Sequence, residues 1–253
     1  MTMLPVLNVG GLAFQTRGLV LLVGFALAIW IADDFARRRG LREDLMSNAG
    51  LVALLAGLLG ARLAFALQHF ESYWQQPAAL FSLTVQGMAW PEGMLIAALA
   101  AYLYLQRQGA PLPDVADALV PALAAFWAMA ALSAFLSGDA YGQPTTIPWA
   151  VYLWGTFRHP VQLYELMAGG VILLALSALW PRAPYPGWIS LVGLALLGAA
   201  RLLVEGFRGD PAVLTGGVRV AQLWALALTL LALWLLYRNE PRPMDQPSTT
   251  DPQ

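Results

Sequence analysis

The sequence contains no cysteine, no lysine and only two histidines among its 253 residues. Without cysteine, disulfides, thiolate metal sites and a cysteine nucleophile are all excluded. Two histidines disfavour a histidine-rich metal centre, so we expect neither a bound metal nor another cofactor. The net charge of −1 also provides no basic surface of the kind that binds nucleic acid.

Charge of either sign is scarce, whereas apolar residues are abundant. Only 11% of the residues are charged and 59% are hydrophobic, with a mean hydropathy of +0.62. A soluble chain carries about 25% charged residues. Such a composition can satisfy its surface only if lipid covers most of it, so we predict an integral membrane protein.

A helix needs about 20 apolar residues to cross the hydrocarbon core. Seven stretches approach this length, at roughly Gly18–Ala32, Gly50–Leu67, Met88–Leu105, Val115–Leu136, Val161–Trp180, Trp188–Val204 and Val220–Tyr237. The first stretch is short and can begin nearer Leu12. The start of the chain has no basic region, so it does not resemble a cleavable signal peptide. We predict one all-α transmembrane domain over residues 1–240, followed by a disordered tail at 241–253.

The distribution of arginine predicts the orientation of these helices. Eight arginines fall on one side of the predicted topology, namely Arg37, Arg38, Arg39, Arg42, Arg107, Arg182, Arg238 and Arg242. Arg17, Arg158, Arg208 and Arg219 fall on the other side. The arginine-rich side should be cytoplasmic, with the N-terminus outside and the C-terminus inside. No convincing internal repeat is visible, which argues against an inverted-repeat transporter.

Four predicted helices carry polar residues at their outer ends, in the segments Gln86–Gly93, Ser133–Gly142, Arg158–Glu165 and Arg201–Arg208. A charge inside a bilayer is costly, so several at one depth predict a built pocket. Arg62 also falls in the outer half of its helix. We therefore expect the functional site to face the extracytoplasmic leaflet.

Arg201 and Glu205 are four residues apart and share one helix face. Two interpretations remain open for this pair. It can be a buried ion pair that fixes two helices, or Glu205 can hold the Arg201 guanidinium toward a phosphate, which arginine binds bidentately. Arg208 lies one turn further toward the surface.

The segment RHPVQLYE enters the fifth predicted helix, with Pro160 suited to the first turn. Gln162 and Glu165 can face one neighbour, and His159 is either a hydrogen-bonded structural residue or a base. Asp139 is either a solvated loop acid, after Gly138 ends the helix, or a group at the mouth of the pocket.

In the third predicted helix, Glu92 follows Pro91 in the first turn. A carboxylate there is stabilised by the positive end of the helix dipole, but it can also act as a base.

RHPVQLYE resembles a motif of the bacterial prolipoprotein diacylglyceryl transferases, and ARLLVEGFRGDP resembles that family's Arg-x-x-x-Glu-x-x-Arg segment. Weaker similarities follow the same order along most of the chain: GLVLLVGFALAIWIA, GARLAFAL, GMAWPEGM, FLSGDAYG and VRVAQLWAL, which includes Gln222. The resemblance implies a seven-helix enzyme that moves a diacylglyceryl group from phosphatidylglycerol to the lipobox cysteine of a prolipoprotein. It further implies a metal-free site at the outer leaflet of the inner membrane.

The chain departs from this family at several positions where the family carries polar side chains. A family His falls on Pro91, and a family Arg and Asn fall on Ala131 and Ala134. The other substitutions are Ser137 for Asn, Asp139 for Glu and Arg17 for Tyr. Two outcomes are open: either the site is rewired, with Arg17 replacing the lost cation, or catalysis is lost.

The sequence thus predicts a diacylglyceryl transferase with His159 or Glu92 as base, Arg201 on the head-group phosphate and Glu205 positioning Arg201. The predicted head-group contacts are Arg62, Arg17, Gln162, Tyr164, Glu165, Asp139, Arg208 and Gln222. Its partners would be a membrane phospholipid and the prolipoprotein signal peptide. The alternatives are a catalytically inactive relative that binds lipid or lipoprotein precursors, and, less favoured, a small transporter.

Overall fold

The computed structural model describes residues 6–9, 12–78, 87–214 and 216–240. The predicted tail at 241–253, and Gln86 of one polar segment, lie outside the described residues. Within them the elements are β1 (Val6–Val9), β2 (Leu12–Gln15), α1 (Thr16–Arg38), α2 (Leu45–Gln68), α3 (Phe70–Gln75), α4 (Trp90–Arg107), α5 (Leu112–Ser137), β3 (Val151–Leu153), β4 (Thr156–Arg158), α6 (Val161–Leu179), α7 (Trp188–Glu205) and α8 (Val220–Arg238).

The all-α polytopic membrane architecture is confirmed. All seven predicted stretches form helices, and six of the described ones are long and apolar enough to cross a membrane. The remaining one, α4, has 18 residues and is not among those six. The number of spans and the orientation of the termini stay predictions.

The first helix differs from its predicted position. Leu12 lies in strand β2, which pairs antiparallel with β1, so α1 does not begin there. Its extra length comes from the other end, because α1 continues through Arg37 and Arg38. Cations in the last turn of a helix are stabilised by the negative end of the helix dipole.

The chain forms two compact units, and the first comprises Met1–Leu22 and Ala124–Gln253. Its helices approach closely through glycine. A Cβ atom at Gly169 of α6 would lie 2.8 Å from the Ala124 carbonyl oxygen of α5. One at Gly198 of α7 would lie 2.4 Å from the Thr229 hydroxyl of α8. Small residues let backbones pack tightly in lipid, where helix association has little hydrophobic drive.

The second unit comprises Val23–Leu123. Its helices α2 and α4 touch through small residues, since a Cβ atom at Gly93 would lie 2.8 Å from the Gly57 carbonyl oxygen. Buried Asp33 of α1 accepts hydrogen bonds from the Met46 and Ser47 amides, each at 3.2 Å, and so caps the first turn of α2. Arg39 pairs with the fully buried Asp117 at 2.7 Å.

Candidate active site

The central feature of the first unit is a cluster of ion pairs between α6 and α7. Arg201 Nη1 lies 2.6 Å from Glu165 Oε1, and Arg201 Nη2 lies 2.9 Å from Glu205 Oε2. The two carboxylate side chains are 6% and 2% exposed, whereas the Arg201 side chain is 32% exposed. The carboxylates therefore close the inner side of the cluster, and a guanidinium forms its open side.

Two more arginines complete the cluster. Arg208 follows α7 and lies 3.4 Å from Glu165 Oε1 and 3.8 Å from Glu205 Oε2, with a further contact of 3.2 Å to Asp210. Arg219 donates a hydrogen bond to the Glu205 carbonyl oxygen. The same carbonyl oxygen also accepts from the Arg208 backbone amide at 3.2 Å, so two donors meet it at the end of α7. The residues that position Arg201 are thus themselves held in place.

The sequence predicted the Arg201–Glu205 pair, and the structure contains it. It did not predict that Glu165 is a second partner of Arg201. Glu165 faces two guanidinium groups, and its expected contact with the head group stays a prediction. The spacing of Gln162 and Glu165 allows both to face one neighbour, but their described partners differ. The Gln162 amide donates to the Asp139 carbonyl oxygen at 2.6 Å, whereas Glu165 pairs with Arg201 and Arg208.

A second group of candidate residues surrounds His159 at the entry to α6. The His159 Nδ1 atom lies 3.3 Å from the Tyr164 hydroxyl, which also accepts a hydrogen bond from the Trp149 indole at 2.9 Å. The His159 and Tyr164 rings both pack against Phe207, with centroids 5.1 and 5.9 Å away. His159 is half-buried, so its ring is oriented by neighbours but retains access to the surface.

Backbone contacts hold this histidine beside the end of α7. The Gln143 amide donates to the Phe207 carbonyl at 2.8 Å, and the His159 amide donates to the Gln143 carbonyl at 3.0 Å. The Gly209 amide donates to the Tyr141 carbonyl at 2.9 Å. We call these residues, 141–143, 159 and 207–209, the backbone platform. A Cβ atom at Gly142 would lie 2.3 Å from the His159 carbonyl oxygen, so the platform requires glycine there.

Arg17 and Asp139 form a third contact in the same unit. Helix α5 ends at Ser137, and Gly138 follows with φ of 77°, as the sequence predicted. Arg17 Nη1 lies 2.9 Å from Asp139 Oδ2, which also accepts a bond from the Ser137 hydroxyl at 3.0 Å. The Ser133 hydroxyl donates to the Arg17 carbonyl at 3.1 Å. The start of α1 is thereby fixed to the end of α5.

Three further predicted residues have partners that the structure describes. The Gln222 amide lies 3.5 Å from the Leu202 carbonyl oxygen, where it joins α8 to α7. Arg62 and Glu92 belong to the second unit. Buried Arg62 donates to the Gly87 carbonyl oxygen at 2.7 Å, and Glu92 accepts from the Gln68 amide at 2.7 Å.

Sequence reasoning missed Arg219, Phe207 and Trp149. Arg219 directly precedes an apolar run, and Trp149 belongs to a set of aromatic residues that usually mark the membrane interface. Local spacing carries no signal for their contacts, because each partner lies on a distant segment.

Comparison with known proteins identifies the family of this chain. Residues 5–238 match the family described as prolipoprotein diacylglyceryl transferase. A phosphatidylglycerol–prolipoprotein diacylglyceryl transferase of Symbiobacterium thermophilum is 32% identical, covering 94% of this chain and 93% of its own. A protein of the same name from Geobacter sulfurreducens is also 32% identical, over 89% of this chain and 91% of its own length. One from Clostridium botulinum strain Langeland is 27% identical, over 91% of this chain and 94% of its own length. The chain is therefore a member of the prolipoprotein diacylglyceryl transferase family.

Proposed function

We propose that this protein transfers a diacylglyceryl group from a phospholipid to the lipobox cysteine of prolipoproteins, at the outer leaflet of the bacterial inner membrane. The names of the similar proteins support phosphatidylglycerol as the donor. One observation of this chain carries the proposal: a partly exposed guanidinium, Arg201, is held between two buried carboxylates near the end of an apolar helix. Such a group suits a lipid phosphate.

The proposed reaction exchanges one bond at a glycerol carbon. The cysteine sulfur forms a C–S bond with the terminal carbon of the diacylglyceryl group, and the bond from that carbon to the phosphate oxygen breaks. Glycerol phosphate leaves with the electron pair of the broken bond, and the thiol proton goes to a base. Since an unperturbed thiol has a pKa of about 8.5, a base is needed near neutral pH.

Arg201 would bind the phosphate during this exchange. Arg201 Nη1 donates a hydrogen bond to Glu165, and Nη2 forms an ion pair with Glu205. A guanidinium has five N–H donors. The remaining donors can therefore reach phosphate oxygens on the open side of the cluster. Glu165 and Glu205 fix the plane of the guanidinium, so the donors are oriented before the lipid arrives. The positive charge would also stabilise the leaving phosphate.

His159 is our choice of base. If Nδ1 carries a proton and donates it to the Tyr164 oxygen, Nε2 presents a lone pair to the thiol. The Tyr164 oxygen can accept from both His159 and Trp149, because a phenol oxygen has two lone pairs. Glu92, whose carboxylate accepts from Gln68, is the alternative base.

Arg17 would supply the cation that other family members carry at the position of Ala131. Its side chain is 62% exposed and its charge is held by Asp139 at 2.9 Å. Gln162 fixes the backbone of Asp139, so this pair is anchored to α6. Arg62, Arg208 and Gln222 remain proposed contacts to the lipid or to the residues that hold it.

The test is a transfer assay with purified protein, lipid extract from the source organism and a labelled lipobox peptide. We expect a thioether product that is lost in both His159→Ala and Arg201→Ala. Arg182→Gln, which removes an arginine beyond the other end of α6, is the matched control and should retain activity. No product above a protein-free control, from protein whose melting shows an intact fold, would contradict the proposal and favour a lipid-binding relative without catalysis.

A further inference from the structure

The connection between α5 and α6 contains a stretch without charge. Residues 144–157 include no Asp, Glu, Lys or Arg, although the residues on either side include Asp139 and Arg158. Four aromatic side chains in this stretch are strongly exposed: Trp149 at 61%, Tyr152 at 56%, Trp154 at 69% and Phe157 at 55%. Large apolar side chains exposed close together in a connection mark a contact with a partner or with a membrane.

Strands β3 and β4 give these side chains a fixed arrangement. Tyr152 and Phe157 are directly paired across the hairpin, and their rings meet edge to face with centroids 5.3 Å apart. Both lie on the exposed face, since the flanking residues Val151, Leu153 and Thr156 are half-buried. Tyr152 and Phe157 thus form one exposed face of the hairpin, with Trp154 in its turn and Trp149 just before β3.

The two tryptophans direct their polar atoms toward the protein. The Trp149 indole N–H donates to the Tyr164 hydroxyl, and the Trp154 indole N–H donates to the Gly138 carbonyl at 3.1 Å. The exposed parts of the two indole rings are therefore apolar, since each N–H group already has a partner. This is the arrangement that a lipid contact favours, because an indole N–H in an apolar medium needs a partner.

The turn of the hairpin has two consecutive residues with positive φ. Trp154 has φ of 52° and Gly155 has φ of 80°. Glycine adopts this region readily, but a bulky residue rarely does. The hydrogen bond from Trp154 to Gly138 links the hairpin tip to the end of α5, where Asp139 begins the candidate site.

The position of the hairpin selects lipid as the partner. It lies between α5 and α6, both of which are long and apolar enough to span a membrane, so its ends are fixed near a membrane surface. Tyrosine and tryptophan favour the boundary between head groups and acyl chains. We propose that Trp149, Tyr152, Trp154 and Phe157 form an anchor that inserts into this boundary, in the leaflet next to the candidate site.

The absence of cysteine permits a direct test. Phe157→Cys and Tyr152→Cys would each be labelled with an environment-sensitive dye, because neither side chain tethers the turn. The labelled proteins would be placed in vesicles of phosphatidylethanolamine and phosphatidylglycerol that carry nitroxides at the head group or on the acyl chain. Leu230→Cys, on an exposed mid-helix position of α8, serves as the lipid reference, and Asn239→Cys, just after α8, serves as the aqueous reference.

We expect both hairpin dyes to be quenched most by shallow nitroxides, between the two references in depth. Quenching no greater than that of Asn239→Cys would overturn the proposal. So would a dye that becomes shielded only when a lipobox peptide is added, since the surface would then bind the protein substrate. Melting of each labelled protein, compared with the unlabelled one, excludes misfolding as the cause of either result. The measurement does not depend on catalysis.

Discussion

Arg201 Nη1 and Glu165 Oε1 lie 2.6 Å apart, although they are 36 positions apart and belong to different helices. This contact joins α6 to α7 at the depth of the candidate site. It also means that removing Arg201 leaves two buried carboxylates without their main partner, so a single substitution combines a structural and a functional effect.

The first prediction separates these two effects. Removing one partner of a buried ion pair costs about 3–5 kcal/mol of stability, so Arg201→Ala should melt earlier and lose activity. Adding Glu165→Gln and Glu205→Gln to Arg201→Ala removes the unpaired charges, and should restore much of the melting temperature. We expect both Arg201→Ala and this triple variant to lack lipid binding. If this triple variant regains lipid binding, Arg201 has a structural role alone.

The second prediction identifies the base. Loss of a general base lowers a rate by about 10²–10⁴-fold. His159→Gln should show such a fall in kcat, with KM for the lipid little changed, whereas Glu92→Gln should stay within a few-fold of the unsubstituted protein. Single-turnover rates measure this difference. A large loss in Glu92→Gln with retained activity in His159→Gln would reverse the assignment.

The third prediction concerns Arg17. Its pair with Asp139 is largely exposed, and exposed ion pairs contribute about 0–1 kcal/mol to stability. Arg17→Ala should therefore melt almost normally but lose transfer activity, if Arg17 supplies the missing cation. Arg17→Lys, which keeps the charge, should retain part of the activity. Equal activity in the alanine variant and the unsubstituted protein would exclude this role.

The fourth prediction uses two adjacent glycines of α6. A Cβ atom at Gly169 would lie 2.8 Å from the Ala124 carbonyl and 2.9 Å from the Ala128 Cβ atom, but nothing lies within 4 Å at Gly170. Gly169→Ala should destabilise the protein by about 1–3 kcal/mol through overpacking. Gly170→Ala should be neutral or stabilising by up to about 1 kcal/mol, since alanine favours a helix. Thermal melting in the same detergent compares them, and equal effects would contradict the close contact.

The fifth prediction concerns topology. The connection after α1 should be cytoplasmic, because Arg37 and Arg38 directly precede it and Arg39 and Arg42 lie within it. A membrane-impermeant thiol reagent should label Ala212→Cys in cells whose outer envelope is permeable to the reagent and whose inner membrane is intact. Glu43→Cys should be labelled only after the membrane is permeabilised. Both positions are exposed. The opposite result would place the candidate site on the cytoplasmic side.

Helix positions were predictable because long apolar runs carry a strong signal. The pairing of Arg201 with Glu205 was predictable as well, since residues four apart share a helix face. The contact between Arg201 and Glu165 was not, because it depends on how two helices pack. Arg219 was missed for the same reason, since its partner is the carbonyl of Glu205, at the end of another helix.

The hairpin of β3 and β4 was also missed. Strands of three residues are too short to give a periodic pattern in the sequence. The turn at Trp154 could not be anticipated, because tryptophan rarely adopts a positive φ. Its tether to Gly138 is visible only in three dimensions.

The backbone platform offers an evolutionary consequence. Its bonds join main-chain atoms of residues 141–143, 159 and 207–209, so their geometry does not depend on the side chains nearby, apart from the glycine at 142. Side chains of the preceding helix, such as those at positions 131 and 134, can therefore change without displacing His159 from the end of α7. Such a scaffold lets the chemistry of a site drift one residue at a time, while the chain remains folded and exposed to selection throughout.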